Sequence, residues 1–284
     1  MQLISARVVV AAIAASDSLG DDYGIMLIVT AGEETGCHGA AALCADGNLG
    51  PAGALIVAEP TGNRAYIGHK GALWLKATAR GVSAHGSMPE RGDNAIYKAV
   101  NAIERLRELN FGVARHPVLG WPTLNVGTIH GGMNINSVPD RAEIGIDIRT
   151  IPSIDHVALR EHVRKVMAEN IDIEVLIDLP GVWTAPQVPW VARTMEIVGE
   201  ITGIASTEQT ATYFSDASIL TPALGNVPTL ILGPGEPTQA HQTDEWCEVA
   251  RIAQAVDLFS AIIADWCDGS PTTPKSALQH PSTQ

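Results

Sequence analysis

The segment Thr30-Ala31-Gly32-Glu33-Glu34-Thr35-Gly36 sets two adjacent carboxylates on a glycine-rich turn directly after the apolar run Ile25–Thr30. In a nearly extended segment neighbouring side chains point different ways. One carboxylate can then ligate a metal ion while the other takes a proton from metal-bound water. Paired acids are also common on solvated turns, so the pair gains meaning only from what the rest of the chain brings to it. Glu59 follows the next short apolar run, Ala54–Val57, and His241 follows the last one, Pro228–Leu232. A single histidine is more often structural. Together with Glu34 and Glu59, however, it makes a mixed nitrogen and oxygen donor set suited to zinc or another borderline divalent ion. Asp244 and Glu245 are the nearby acceptors for its second ring N–H.

The elements that must position these residues follow from periodicity. Ile25–Thr30 and Ala54–Val57 read as short buried strands, with a helical stretch from Gly36 to Ala45 between them. Strand, helix, strand implies a parallel pair with a crossover, and the acids sit at the carboxyl ends of the strands, where an open α/β sheet has its ligand crevice. From Gly71 the pattern changes. Ala72–Arg80 reads as a strand, and Asn94–Leu109 as a helix with Ile96, Ala99, Val100, Ile103 and Leu106 on one face. Strands follow at Thr123–Ile129 and at Arg141–Thr150, which alternates through Ile144, Ile146 and Ile148, then a helix over Ile154–Asn170 and a strand over Asp172–Ile177. That order, βαββαβ, is a ferredoxin-like α+β sandwich inserted between two halves of an α/β domain. After Pro180 come helices at Pro189–Thr202 and Ser215–Leu224, the buried strand Pro228–Leu232, and a long helix over Asp244–Asp268 with Asp244 as N-cap. The expected layout is an α/β domain of residues 1–68 and 180–268 and an inserted domain of residues 69–179. Residues 269–284 hold three prolines and read as a disordered tail.

Composition removes several classes of function. Eighteen Lys and Arg against thirty-one Asp and Glu give a net charge of −13, and a nucleic-acid groove needs the clustered cations that this chain lacks. Cys37, Cys44, Cys247 and Cys267 include no CxxC pair and are too few for a disulfide scaffold, so reduced thiols in the cytoplasm are expected. Leu3–Ala15 is apolar, but Arg7 lies inside the run and no cationic leader precedes it. It reads as a buried helix starting at residue 1 rather than a secretion signal, and it is too short to span a membrane.

Five ordered segments, TAGEETGCHGA, VAEPTG, SAHGSMPERGDNAI, GGMNINSVPDRAEIGIDIRT and GPGEPTQAHQTDEW, resemble the acetylornithine deacetylase, succinyl-diaminopimelate desuccinylase and aminoacylase family of co-catalytic metallohydrolases. The resemblance spans residue 1 to about 268. It implies a zinc-peptidase-like mixed sheet flanked by helices, with the insert acting as a lid and dimerisation domain. It also implies two divalent ions, zinc or cobalt, and hydrolysis of an N-acyl or peptide amide of an amino-acid derivative. Glu33 then corresponds to the general base, Glu34 and His241 to ligands of one metal, and Glu59 to a ligand of the other. His85 corresponds to a residue that reaches the partner subunit's site and polarises the scissile carbonyl. Asn136 and Arg149 correspond to substrate-holding positions, the arginine gripping a carboxylate. Pairing of Arg149 with Asp147 or Asp140 inside the sheet is the competing reading.

Two departures from the family pattern stand out. Relatives carry an upstream H-x-D metal ligand and an Asp that bridges both metals, and Met1–Ala6 resembles the start of the helix after that Asp. The expectation is a chain lacking that segment, with weakened metal binding and little turnover. The alternative reading is an inactive homologue that keeps only dimerisation or ligand binding. Tyr213 and Phe214 stand where many relatives have small residues, and their rings are expected to narrow the substrate pocket.

Overall fold

The computed structural model describes residues 10, 11, 13, 24–47, 49–167, 170–205, 207–240 and 242–268. His241 and the tail lie outside the described residues, as does most of the expected N-terminal helix. The chain divides into two compact units, Met1–His69 with Val182–Gln284, and Lys70–Gly181.

In chain order the first unit opens with α1 (His38–Ala45), β1 (Leu55–Val57) and β2 (Tyr66–His69). The second holds β3 (Gly71–Arg80), β4 (Ala84–His85), α2 (Ala95–Arg107), β5 (Thr123–Gly131), β6 (Ser137–Val138), β7 (Arg141–Thr150), α3 (His156–Met167) and β8 (Ile171–Leu179). The first unit resumes with β9 (Val182–Trp183), α4 (Pro189–Thr202), β10 (Gln209–Ala211), α5 (Ala217–Ala223), β11 (Thr229–Ile231) and α6 (Val249–Cys267).

The sheet of the first unit runs β1-β11-β2-β10, with β9 also paired to β2. It is mixed: β1 lies parallel to β11 and β10 parallel to β2, whereas β2 is antiparallel to β11 and β9. Ile197 and Val198 of α4 and Leu258, Phe259 and Ile262 of α6 are buried together with Leu232 just past β11. Helix α4 starts with Pro189, whose missing N–H and fixed φ suit a first turn, and ends at Gly203 with φ 68°. The long last helix begins at Val249 rather than at Asp244, because Asp244 takes φ 61°, outside the helical region, and Glu248 is the N-cap.

Ile25–Thr30 joins no ladder among the described residues. Met26, Leu27 and Val29 are 46%, 39% and 67% exposed, while Ile25 packs on the core near α6. A β-branched run becomes a strand only where a neighbour meets its N–H and C=O groups. The expected parallel pair with β1 is therefore not formed, and β1 pairs with β11 instead.

The sheet of the second unit is antiparallel in the order β5-β7-β3-β8. Ala142, Ile144, Ile146, Ile148 and Thr150 alternate inward along β7 and are buried, as period-two patterning requires. Opposite them lie Ala95, Ala99, Ala102 and Leu106 of α2 and Leu159, Val163 and Met167 of α3. Each large aliphatic side chain buried this way contributes about 1.5–3 kcal/mol. Asn94 caps α2, its side-chain oxygen accepting from the N–H groups of Ile96 (2.9 Å) and Tyr97 (3.2 Å).

Helix α3 is tied to the sheet by a polar chain. His156 Nε2 lies 2.8 Å from Thr150 Oγ1 and Nδ1 lies 2.5 Å from Asp178 Oδ1, while Arg160 pairs with Asp178 Oδ2. The hydrogen bond from His156, with Arg160 beside it, holds the Asp178 carboxyl below its usual range. A depressed carboxylate pKa adds stability that is fully present above about pH 4 and is lost as pH falls through the folded value. Asp178→Asn is therefore expected to cost on the order of 1–2 kcal/mol at pH 7. It should also flatten the loss of stability below pH 4, both read from urea unfolding followed by circular dichroism.

Candidate active site

The Glu33–Glu34 turn is shaped by its glycines. Gly32 and Gly36 take φ 73° and 116°, values that a side chain resists. The Glu33 carbonyl accepts from the N–H groups of Gly36 (3.0 Å) and Cys37 (3.1 Å), and Gly39 N–H donates to Ala31 O (2.9 Å). The turn thus closes into the start of α1, with Glu33 partly buried and Glu34 exposed.

Glu59 is placed by the strand next to its own. Gly233, two residues past β11, approaches so closely that a Cβ there would lie 2.4 Å from Glu59 O. Thr61 seals the contact: Gly233 N–H donates to Thr61 Oγ1 (3.1 Å), which donates to Gly233 O (3.3 Å). The Tyr213 hydroxyl donates to Pro60 O (3.1 Å), so this ring stands beside Glu59. The stretch that leads to His241 is held against the same loop, with Gly62 N–H donating to Gly235 O (2.7 Å).

Glu33 and Glu59 both register the negative charge around them. Burial first, then the charges of Glu59, Asp216 and Glu34, pushes Glu33 up to about 8. Burial, Asp216 and Glu34 push Glu59 up to about 7. Burial, Glu59, Tyr66 and Glu33 push the Tyr213 phenol up. Shifts of this size arise where like charges are crowded in a partly dry site. A divalent cation would relieve the crowding, and carboxylate oxygens suit one, so the donor chemistry fits a metal. Among the described residues no three His, Cys, Asp or Glu side chains form a group that could hold one, which leaves His241 as the matched candidate beyond them.

The second unit holds the other three residues, in two places. His85 and Asn136 come together where β4 meets β6: Gly86 N–H donates to Asn136 O (2.7 Å), and both side chains are exposed. Ser87 N–H donates to His85 Nδ1 (3.2 Å), which fixes Nδ1 as acceptor and puts the proton of the neutral ring on Nε2. Arg149 sits at the far end of the β3–β7 ladder, opposite Ala72, whereas His85 follows the end where Arg80 faces Arg141. Eight residues of extended chain separate those ends, roughly 25 Å. Arg149 Nε donates to Asp147 Oδ2 at 3.1 Å, and its guanidinium carbon lies 5.7 Å from the Trp74 ring centre. The in-sheet pairing with Asp147 is thus present, with an aromatic platform under the arginine that spacing alone does not reveal.

Sequence reasoning passed over Asp216. It lies at the start of α5, is 6% exposed, and accepts a hydrogen bond on Oδ2 from the Thr30 hydroxyl. The two residues are 186 apart in sequence, so no motif links them.

The peptidase dimerisation domain family matches residues 67–173. A probable succinyl-diaminopimelate desuccinylase of Staphylococcus aureus is 30% identical over 272 residues, 84% of this chain and 67% of that protein. An acetylornithine deacetylase of Proteus mirabilis is 30% identical over 258 residues, 86% and 64% of the two chains. The crystal structure of aminopeptidase PepT from Bacillus cereus superposes with a TM-score of 0.64 at 26% identity, covering 82% of this chain and 62% of that one. The chain spans about two thirds of the length of each of these proteins. A mixed sheet with Glu59 just past β1 and Glu33 crowded by its charge, a four-stranded α+β insert and relatives of this identity agree on one point: the chain belongs to the acetylornithine deacetylase, succinyl-diaminopimelate desuccinylase and aminoacylase family of metallohydrolases.

Proposed function

We propose that the protein hydrolyses the amide bond of an N-acyl amino acid or short peptide. The observation that carries this reading is the crowding of Glu33, Glu34 and Glu59, with Glu33 pushed up to about 8 and Glu59 to about 7. Glu34 and His241 would hold one divalent ion, zinc or cobalt, and Glu59 the other. Bound there, the ions would lower the pKa of water toward neutrality and offset charge on the developing oxyanion. Glu33 takes the proton of the attacking water on its carboxylate and delivers it to the leaving amine nitrogen. His85 donates from Nε2 to the carbonyl oxygen, as an oxyanion donor does. Asn136 lies beside it to hold the substrate, and Arg149, levelled by Trp74, grips a substrate carboxylate.

His85 and Asn136 lie at the opposite end of the ladder from Arg149, too far apart for one copy to present all three to one small substrate. This supports a homodimer formed through the insert, in which His85 and Asn136 serve the partner's site. The four cysteines are unpaired, which supports a reducing, cytoplasmic setting.

The match of residues 67–173 to a dimerisation domain favours a second reading, a homologue retaining only dimerisation or ligand binding. Zinc content by mass spectrometry and release of amine from N-acetyl and N-succinyl amino acids separate the two. Metal-dependent release supports the hydrolase. Dimerisation with no release at saturating zinc or cobalt supports the second reading.

A further inference from the structure

We propose that Asp216 is the positioning residue for the Glu33–Glu34 turn, holding it through Thr30 on the near side and packing against Cys37 on the far side. The inference rests on the reading of Glu33 as base and Glu34 as ligand, and it adds a residue whose side chain does neither job.

An acid at the start of a helix ordinarily turns its carboxylate back onto the helix's own N–H groups. Asp216 does not: its backbone is already helical, with φ −55° and ψ −16°, and its side chain makes no capping bond. Ser215 Oγ takes the Ala217 N–H instead (3.3 Å). The Asp216 carboxylate is spent on a distant segment, with Oδ2 accepting from Thr30 and Oδ1 buried without a hydrogen-bond partner among the described residues. Thr30 is the last residue before the turn. Cys37, the first after it, is fully buried, and the nearby Asp216 carboxylate adds to burial in pushing its thiol up. Helices α1 and α5, which follow the turn and Asp216 respectively, pack against each other. One carboxylate therefore spans residues 31–36 from both sides.

Burying a further acid beside Glu33 and Glu59 is unfavourable by itself, since each adds to the others' repulsion. A fold that needed only a helix start would do better with serine or asparagine turned inward. Holding the turn explains why the acid is there and why it faces outward.

The test compares Thr30→Val, Thr30→Ser, Asp216→Ala and Asp216→Asn with the unmodified protein. Two readouts need no catalysis: alkylation of Cys37 mapped by mass spectrometry, and amide exchange of the peptide covering residues 31–39. Thr30→Val and Asp216→Ala are expected to raise both rates at least about tenfold, as when one charge-assisted hydrogen bond no longer holds a local opening closed. Thr30→Ser keeps the hydroxyl and should stay within about twofold of the original, and Asp216→Asn keeps a neutral acceptor and should fall between the original and Asp216→Ala. The proposal is overturned if Thr30→Val matches the original, if Asp216→Asn is as damaging as Asp216→Ala, or if exchange rises equally throughout the unit. A third readout is kcat for amide release, expected to fall in Thr30→Val with KM unchanged. If the local effects appear in a protein that releases no amine, the hydrolase reading fails and the positioning role stands.

Discussion

Replacing Glu33 by Gln is expected to lower kcat for hydrolysis of an N-acyl amino acid by two to four orders of magnitude, about what a positioned general base supplies. Zinc content should not change, because the ligands assigned are Glu34, Glu59 and His241. Glutamine keeps the shape and the turn, whose hydrogen bonds use the residue 33 backbone, but it cannot take a proton. The same substitution has an opposite effect on stability. A carboxyl raised to about 8 binds its proton more tightly folded than unfolded, so its contribution falls as pH rises from about 4.5 to 8 and is a full cost above that. Metal-free Glu33→Gln should therefore melt higher than metal-free original protein at pH 8.5, with the gap closing toward pH 5. Retained activity would remove Glu33 from the base role, and an unchanged melting temperature at pH 8.5 would show that the acids are not crowded in solution.

Mixing protomers tests the assignment of His85 and Arg149 to different sites. Each single variant, His85→Ala or Arg149→Ala, is expected below about 1% of the original rate, since a carbonyl-polarising donor is worth 10²–10³. In a two-fold dimer with exchanged His85, a mixed dimer has one site missing both groups and one missing neither. Unfolding and refolding the two variants together in equal amounts makes half the dimers mixed, so the rate should return to about a quarter of the original. If both residues served the site of their own chain, the mixture would stay at the level of its parents. The measurement reads the assembly without a structure of the dimer.

How much of this was legible in the sequence depends on the range of the forces involved. Helix α4 was readable at both bounds because Pro189 and the apolar period act locally. The inward face of β7 was readable because alternation through Ile144, Ile146 and Ile148 admits one buried side. Ile25–Thr30 misled, because apolar β-branched residues state a preference for pairing but cannot supply the partner. Asp244 misled because a good N-cap residue is also one of the few that tolerates φ 61°. Among site residues, Glu33, Glu34 and Glu59 could be found from their places after apolar runs. Asp216 could not, since its meaning lies in a hydroxyl 186 residues away. His156 matched no ligand pattern, and it is a buried link between Thr150 and Asp178.

The insertion leaves and re-enters the first unit at paired positions: His69 faces Val182 across β2 and β9, and Ala72 faces Leu179 across β3 and β8. This register bears on the order of folding. The first unit is assembled from two stretches of chain about 110 residues apart, and joining such distant ends in a flexible chain costs about 4 kcal/mol of closure entropy. The second unit is continuous and complete once Gly181 has left the ribosome. Its own closure brings the chain at residues 72 and 179 side by side, so that the flanking strands β2 and β9 start as near neighbours. A nascent chain can thus fold the insert first and let it act as an entropic splint, turning a long-range search by the acid-bearing unit into a short-range one.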